Sequence, residues 1–202
     1  MNTVQPIRDP VIIEKIKRDL RYNSERNYLF FCMGIYSGLR VSDLRMLQVV
    51  AVRNKTHITL IERKTENTRK RSKKKKFIIH PEIAEDLSKY IEGMDDYDYL
   101  FPSRQKKTKT GERDQPIDRS TAYKMLNKAI GRYGLKEVGT HTLRKTWGYH
   151  LIMTAPPERW AYTLALLMDM FNHSDQSYTL RYLGLTQDAM DEAIVRMSYP
   201  KY

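Results

Sequence analysis

The sequence predicts a mainly helical α+β domain carrying one small antiparallel sheet of three strands. Three observations predict it. Stretches such as "PVIIEKIKRDL" (10–20) and "RSTAYKMLNKAIGRYG" (119–134) set apolar residues at helical spacing behind capping signals. Short runs such as "THITLIERK" (56–64) alternate and are β-branched, as a half-buried strand is. The chain has 202 residues and no internal repeat, which suits one domain able to bury a core without disulfides or metal.

The elements follow in order. Asp9 before Pro10 reads as an N-cap and first helical residue, with Val11, Ile12, Ile16 and Leu20 on the inner face. Ser24 caps "ERNYLFFCMGIYS", apolar on most faces and therefore a central buried helix. Gly38 offers its stop or a sharp bend. A short helix is expected from Ser42 to Leu47. "THITLIERK" and "KKFIIH" (75–80) read as a hairpin whose turn is the basic "TENTRKRSKKKK", and "VVAVRN" (49–54) is expected to add a third strand. Pro81 opens "PEIAEDLSKYIE", closed by Gly93, and residues 94–117 read as loop. From Asp118 the chain is helical again. Pro156-Pro157 separates "HTLRKTWGYHLIM" from "ERWAYTLALLMDM", and two shorter helices follow His173.

The charge narrows the partners. Thirty-six Lys and Arg stand against 24 Asp and Glu, a formal net charge of +12. Such a surplus draws in polyanions, nucleic acid first and anionic membrane second. The single cysteine, Cys32, lies in an apolar run and can form no internal bridge, which fits a reducing, cytosolic setting. No stretch approaches the roughly 20 apolar residues of a membrane span, and the N-terminus has no apolar signal core. No Cys/His cluster has zinc spacing, no acidic cluster suits magnesium, and there is no Gly-rich phosphate loop or Gly-x-Ser-x-Gly elbow. Chemistry, if present, belongs to side chains alone.

Four places carry groups suited to such chemistry. In "SGLRVSDL" (37–44), Arg40 is either a surface arginine paired with Asp43 or a fixed guanidinium gripping a phosphate. In "HTLRKT" (141–146), His141 and Arg144 share one helix face. They are either a capped helix start or a proton-transfer group beside a second phosphate clamp. Lys64 ends the first strand, and the run Arg69, Lys70, Arg71, Lys73, Lys74, Lys75 and Lys76 is either a solvated loop or a hairpin tip along a phosphate backbone. In "NHSDQSYTLRYL" (172–183), His173 precedes two tyrosines four residues apart, Tyr178 and Tyr182.

Taken together, Arg, Lys, His-x-x-Arg, His and Tyr in this order on a basic domain resemble the catalytic domain of the tyrosine recombinases, the phage integrase family. The resemblance runs from about Pro6 to about Met197. "GLRVSDL" is similar to that family's first arginine motif, "HTLRKT" to its His-x-x-Arg motif, and "NHSDQSYTLRYL" to its last motif, where the tyrosine stands ninth after the histidine. That spacing selects Tyr182 over Tyr178. One departure is Phe171-Asn172 where the family usually has Leu-Gly. The other is the absence of the N-terminal core-binding domain that most relatives carry, so residues 1–202 are expected to form a single catalytic domain.

The resemblance implies a site-specific recombinase or integrase that cuts and rejoins double-stranded DNA through a 3′-phosphotyrosyl intermediate, without metal, ATP or other cofactor. Tyr182 would be the nucleophile, Arg40 and Arg144 would hold the non-bridging phosphate oxygens, and Lys64 would be the general acid. His141 would exchange a proton with Tyr182, His173 would donate to the phosphate, and Asp43 would orient Arg40 or its loop. DNA is expected near residues 69–76 and near the loop of Lys106, Lys107 and Lys109. The resemblance further implies a prokaryotic or phage-encoded cytoplasmic protein working at the nucleoid, monomeric alone and tetrameric on DNA. The last helix, with Ala189, Met190, Ala193, Ile194 and Met197 in a stripe, either packs on its own domain or docks on a neighbour. Two other functions share parts of the pattern: a type IB topoisomerase, and a DNA-binding regulator without catalysis.

Overall fold

The computed structural model describes residues 4–60, 74–104, 115–136 and 138–197. Helix α1 (Pro10–Asn23) starts as its sequence dictates: the Asp9 carboxylate accepts from the Val11 amide, and Ile13, Ile16 and Leu20 are buried. Ser24 caps α2 (Glu25–Ser37), which buries most of its residues and forms the centre of the main core. Cys32 is fully buried there, and burial pushes its thiol up to about 12, so it is packing rather than chemistry. Gly38 ends α2 in the left-handed region at φ +64°. A Cβ there would lie 2.3 Å from the Trp147 ring, so both backbone and space exclude a side chain.

Helix α3 (Val41–Leu44) is shorter than expected. Strands β1 (His57–Leu60) and β2 (Lys75–Ile78) pair antiparallel, His57 opposite Ile78, with Ile58 and Phe77 turned into the core. The expected third strand does not form. Val49–Ala51 is a 3-10 turn. Its buried residues, Val49 and Val52, are three apart, a helical spacing that satisfies the core better than alternation does. Among the described residues, an isolated bridge, Gln48 with Tyr99, is what remains of strand pairing there.

Helix α4 (Pro81–Tyr90) packs on α2, and α5 (Arg119–Gly131), capped by Asp118, packs on α1. Helix α6 (Thr142–Met153) lies against α2 where Gly34 lets Leu143 approach to within 2.4 Å of a built Cβ. A 3-10 turn at Pro157–Arg159 leads into α7 (Trp160–Phe171), followed by α8 (Gln176–Leu183) and α9 (Leu185–Val195). Helices α6 to α8 gather around a second, smaller core of Ile152, Leu167, Phe171, Leu183 and Leu185. No described helix is long and apolar enough to cross a membrane.

Candidate active site

The second core positions the candidate groups. Gly148 of α6 sits where a Cβ would lie 2.8 Å from Phe171 and 2.9 Å from Leu183. Helices α7 and α8 therefore press directly on the α6 backbone. The Phe171 ring is the hub. The Arg144 guanidinium lies 5.0 Å over it, His173 is 5.4 Å from it and Tyr182 is 5.0 Å from it, centroid to centroid for the rings. One apolar ring thus spaces two cationic or titratable groups around the tyrosine.

Arg144 is 3% exposed. Its Nη1 donates to the Gly38 carbonyl at 2.8 Å and its Nη2 to the Met170 carbonyl at 2.7 Å. The guanidinium therefore ties the end of α2 to the end of α7 and is held rigid by both. Arg40 stands two residues beyond Gly38 as the N-cap residue of α3, and Asp43 is buried beside it in that helix. The carbonyl of Arg40 accepts from the Asp43 and Leu44 amides. His173 feels both guanidiniums. Burial first, then the positive charges of Arg144 and Arg40, hold its imidazole below the ordinary histidine range. Its neutral form is therefore favoured.

The departure at Phe171-Asn172 now has a physical account. Asn172 is the left-handed cap of α7 at φ +58°. Asparagine tolerates that conformation better than any other side chain of its size, so it serves where glycine usually does. The turn it makes delivers His173, whose Nδ1 lies 3.0 Å from the Thr179 hydroxyl. Thr179 is fully buried in α8. One turn further along the same helix, the Tyr182 hydroxyl is 3.3 Å from His141 Nδ1, and the His173 and Tyr182 rings stand edge to face at 5.5 Å. Tyr178 points elsewhere and is 57% exposed.

The frame around α8 is braced from the chain's start. The Ile7 amide donates to Thr146 Oγ1 at 2.9 Å, and His150 Nε2 meets the Ile7 carbonyl at 2.9 Å. Arg8 donates to both Asp188 oxygens at 2.8 Å and to the Gly184 carbonyl at 3.2 Å, which fixes the corner between α8 and α9. Beside His141 opens a cavity of about 740 Å³, with Arg119, Tyr123 and Lys136 on its wall.

Arg40, His141, Arg144, His173 and Tyr182 thus converge, with Asp43 behind Arg40. Lys64 lies outside the described residues, as do Arg69, Lys70, Arg71, Lys73, Lys106, Lys107 and Lys109. Of the remaining basic run, Lys74 and Lys76 are exposed, whereas Lys75 is half-buried. Its ammonium donates to the Asp169 and Met170 carbonyls, both at 2.9 Å, at the negative end of α7. Two residues that touch the site were missed from sequence, Thr179 on His173 and Lys145 with its Nζ 4.8 Å from the Tyr182 ring centroid. Thr179 gave no signal, because a threonine inside a helix looks like any other. Lys145 did carry one: it stands four residues after His141, on the same face. Among the described residues no group of three or more His, Cys, Asp and Glu side chains is placed to hold a metal.

This is the fold of tyrosine recombinase catalytic domains. The crystal structure of XerA recombinase superposes over 96% of the chain with a TM-score of 0.66 at 22% identity, and the chain spans 65% of that protein. The XerH site-specific recombinase bound to palindromic difH substrate, a post-cleavage complex, also matches over 96% of the chain with a TM-score of 0.66 at 15% identity; the chain spans 53% of it. In sequence, the chain is 38% identical over 188 residues to the probable integrase/recombinase YoeC of Bacillus subtilis, covering 93% of each. The phage integrase family model matches residues 10–188, and the chain belongs to that family.

Proposed function

We propose that this chain is a site-specific DNA strand transferase in which Tyr182 attacks a backbone phosphate. The observation that carries the reading is the convergence of the Tyr182 hydroxyl with His141 Nδ1, beside His173 and the clamped Arg144 guanidinium. Phenol has a pKa of about 10 and needs help to act at neutral pH. The Tyr182 oxygen forms a bond to phosphorus while its proton passes to His141. The phosphorus–O5′ bond breaks, and Lys64 supplies the proton to the departing 5′-oxygen. The result is a 3′-phosphotyrosyl link and a free 5′-hydroxyl. Attack by the 5′-hydroxyl of another strand reverses each transfer, so the bond energy is conserved.

Arg40 and Arg144 hold the two non-bridging oxygens and meet the charge that grows in the transition state. Because the backbone carbonyls of Gly38 and Met170 fix Arg144 beforehand, little reorganisation accompanies the step. His173 adds a donor. With the Thr179 hydroxyl giving its proton to Nδ1, the ring proton resides on Nε2, which faces the phosphate as a neutral donor. The duplex lies across the exposed lysines Lys74 and Lys76 and the basic rim at Arg119 and Lys136, and the likeness to XerH, itself bound to difH substrate, supports DNA as the ligand. Helix α9 exposes Met190, Ile194 and Val195, and Met197 just after it is exposed too, an apolar face suited to a second copy of the chain when four assemble on DNA.

The test uses a nicked suicide substrate from which the short cleaved strand diffuses away. A covalent protein–DNA adduct should accumulate, and mass spectrometry of its peptides should place the nucleotide on the 176–183 helix. Cleavage without adduct, or an adduct on another segment, refutes the proposal. Joining of two marked duplexes, beyond relaxation of supercoils, separates recombinase from topoisomerase.

A further inference from the structure

Lys145 follows Arg144 directly and stands one helical turn beyond His141. It is 4% exposed, which is rare for lysine unless its charge has a use inside. Its Nζ lies 4.8 Å from the centroid of the Tyr182 ring. One face of α6 thus presents two groups to the same tyrosine: His141 to its hydroxyl and Lys145 to the face of its ring.

We propose that Lys145 is a further catalytic residue, a cation that stabilises the phenolate of Tyr182 as it forms. The inference rests on the reading of Tyr182 as the nucleophile. While the phenol is neutral, the ammonium interacts with the ring quadrupole, a modest attraction. As the proton leaves for His141, the ring and oxygen acquire a full negative charge. The same ammonium, 4.8 Å from the ring centroid, then makes a charge–charge contact with a half-buried phenolate. At an effective permittivity of about 25–40, as suits a half-exposed pair about 5 Å apart, the attraction favours the phenolate roughly 10- to 100-fold at neutral pH. Lys145 transfers no proton in this scheme; the proton goes to His141 and the electron pair to phosphorus. The stabilisation is differential, present in the transition state and weak in the ground state, which is what acceleration requires.

Other charged groups surround the tyrosine. From α6 come His141 and Arg144, from the turn before α8 comes His173, and on α8 itself are Tyr178 and Arg181; Arg40 lies close enough to act on His173. Among the described residues, none of these contacts sets a cation on the face of the ring. Arg144 donates to the Gly38 and Met170 carbonyls and lies over Phe171. His141 and His173 meet the Tyr182 ring edge to face, whereas Lys145 sets an ammonium over it.

The experiment measures single-turnover adduct formation on the suicide substrate from pH 6 to pH 10 for the native chain, Lys145→Met and Lys145→Arg. Lys145→Met should slow the step about 10- to 100-fold at pH 7, with the deficit narrowing as pH rises and phenolate forms unaided. Lys145→Arg, which keeps the cation, should lose at most a few-fold. A substrate with sulfur in place of the bridging 5′-oxygen has a leaving group that needs no proton. It should rescue Lys64→Ala but leave Lys145→Met slow, because the defect is in the nucleophile. A Lys145→Met rate equal to the native rate, or a deficit constant across the pH range, overturns the proposal; the constant deficit would mean a packing role. If Lys145→Met fails to fold, the arginine variant decides: a loss as deep as that of Tyr182→Phe at every pH overturns it. Adduct formed by Tyr182→Phe would instead overturn the nucleophile assignment beneath it.

Discussion

The hydrogen bond between Thr179 and His173 isolates one part of the site from the rest of the fold. Thr179→Val keeps the shape of a fully buried side chain and removes only the hydroxyl that lies 3.0 Å from His173 Nδ1. A neutral hydrogen bond is worth about 0.5–1.5 kcal/mol net. His173 is only partly buried, so water replaces the lost partner and the stability loss should fall at the low end, about 0.5 kcal/mol. In a chain of this size that is a fall in Tm of roughly 1–2 °C. The activity loss should be larger. Without Thr179 the imidazole is free to change tautomer and to rotate, and the donor to the phosphate is lost for part of the time. A transition-state penalty of about 1.4 kcal/mol slows adduct formation about tenfold. Stopped single-turnover cleavage on the suicide substrate, with a thermal melt of the same sample, measures both. Thr179→Ser should restore the rate. Native-rate cleavage by Thr179→Val would refute the claim that this hydroxyl orients His173.

Three further outcomes follow from the geometry. Asn172→Gly should hold or raise stability, whereas Asn172→Val, at φ +58°, should lower it by about 1–2 kcal/mol in a denaturant titration, with adduct formation falling as His173 shifts. His173 has its folded-state pKa below the unfolded value of about 6.5, so the unfolded chain takes up the proton first as pH falls. The associated stability is complete above about pH 6.5 and is lost below it, a slope that denaturation at pH 7.5 and 5.5 should show and that His173→Gln should remove. Among the neighbouring lysines, Lys74→Ala and Lys76→Ala should each reduce the dependence of log affinity on log salt by about 1 in a binding titration, while Lys75→Ala should leave that slope alone and destabilise the end of α7.

Much of this architecture is legible in the sequence because local chemistry decides it. Asp9, Ser24, Asp118 and Gly38 mark helix ends that the structure keeps, and Pro81 opens the helix it was expected to open. The order of Arg40, His141, Arg144, His173 and Tyr182 was readable as a pattern, and the fold brings all five to one place. What was not legible depends on contacts between distant segments. "VVAVRN" has strand-like residues, yet burial of Val49 and Val52 on one core makes it a 3-10 turn. Lys75 sits in a basic run that looks uniform, and only the approach of α7 to β2 gives it a carbonyl pair to cap. Thr179 and Lys145 acquire their contacts to His173 and Tyr182 only once α6 and α8 pack around Phe171.

The identity of the nucleophile is the centre of the account, and one comparison addresses it directly. Native chain, Tyr182→Phe and Tyr178→Phe are each incubated with the nicked suicide substrate and resolved under denaturing conditions. The account predicts covalent adduct from the native chain and from Tyr178→Phe, and none from Tyr182→Phe even though it still binds the DNA. Adduct from Tyr182→Phe, or its loss in Tyr178→Phe alone, would contradict it.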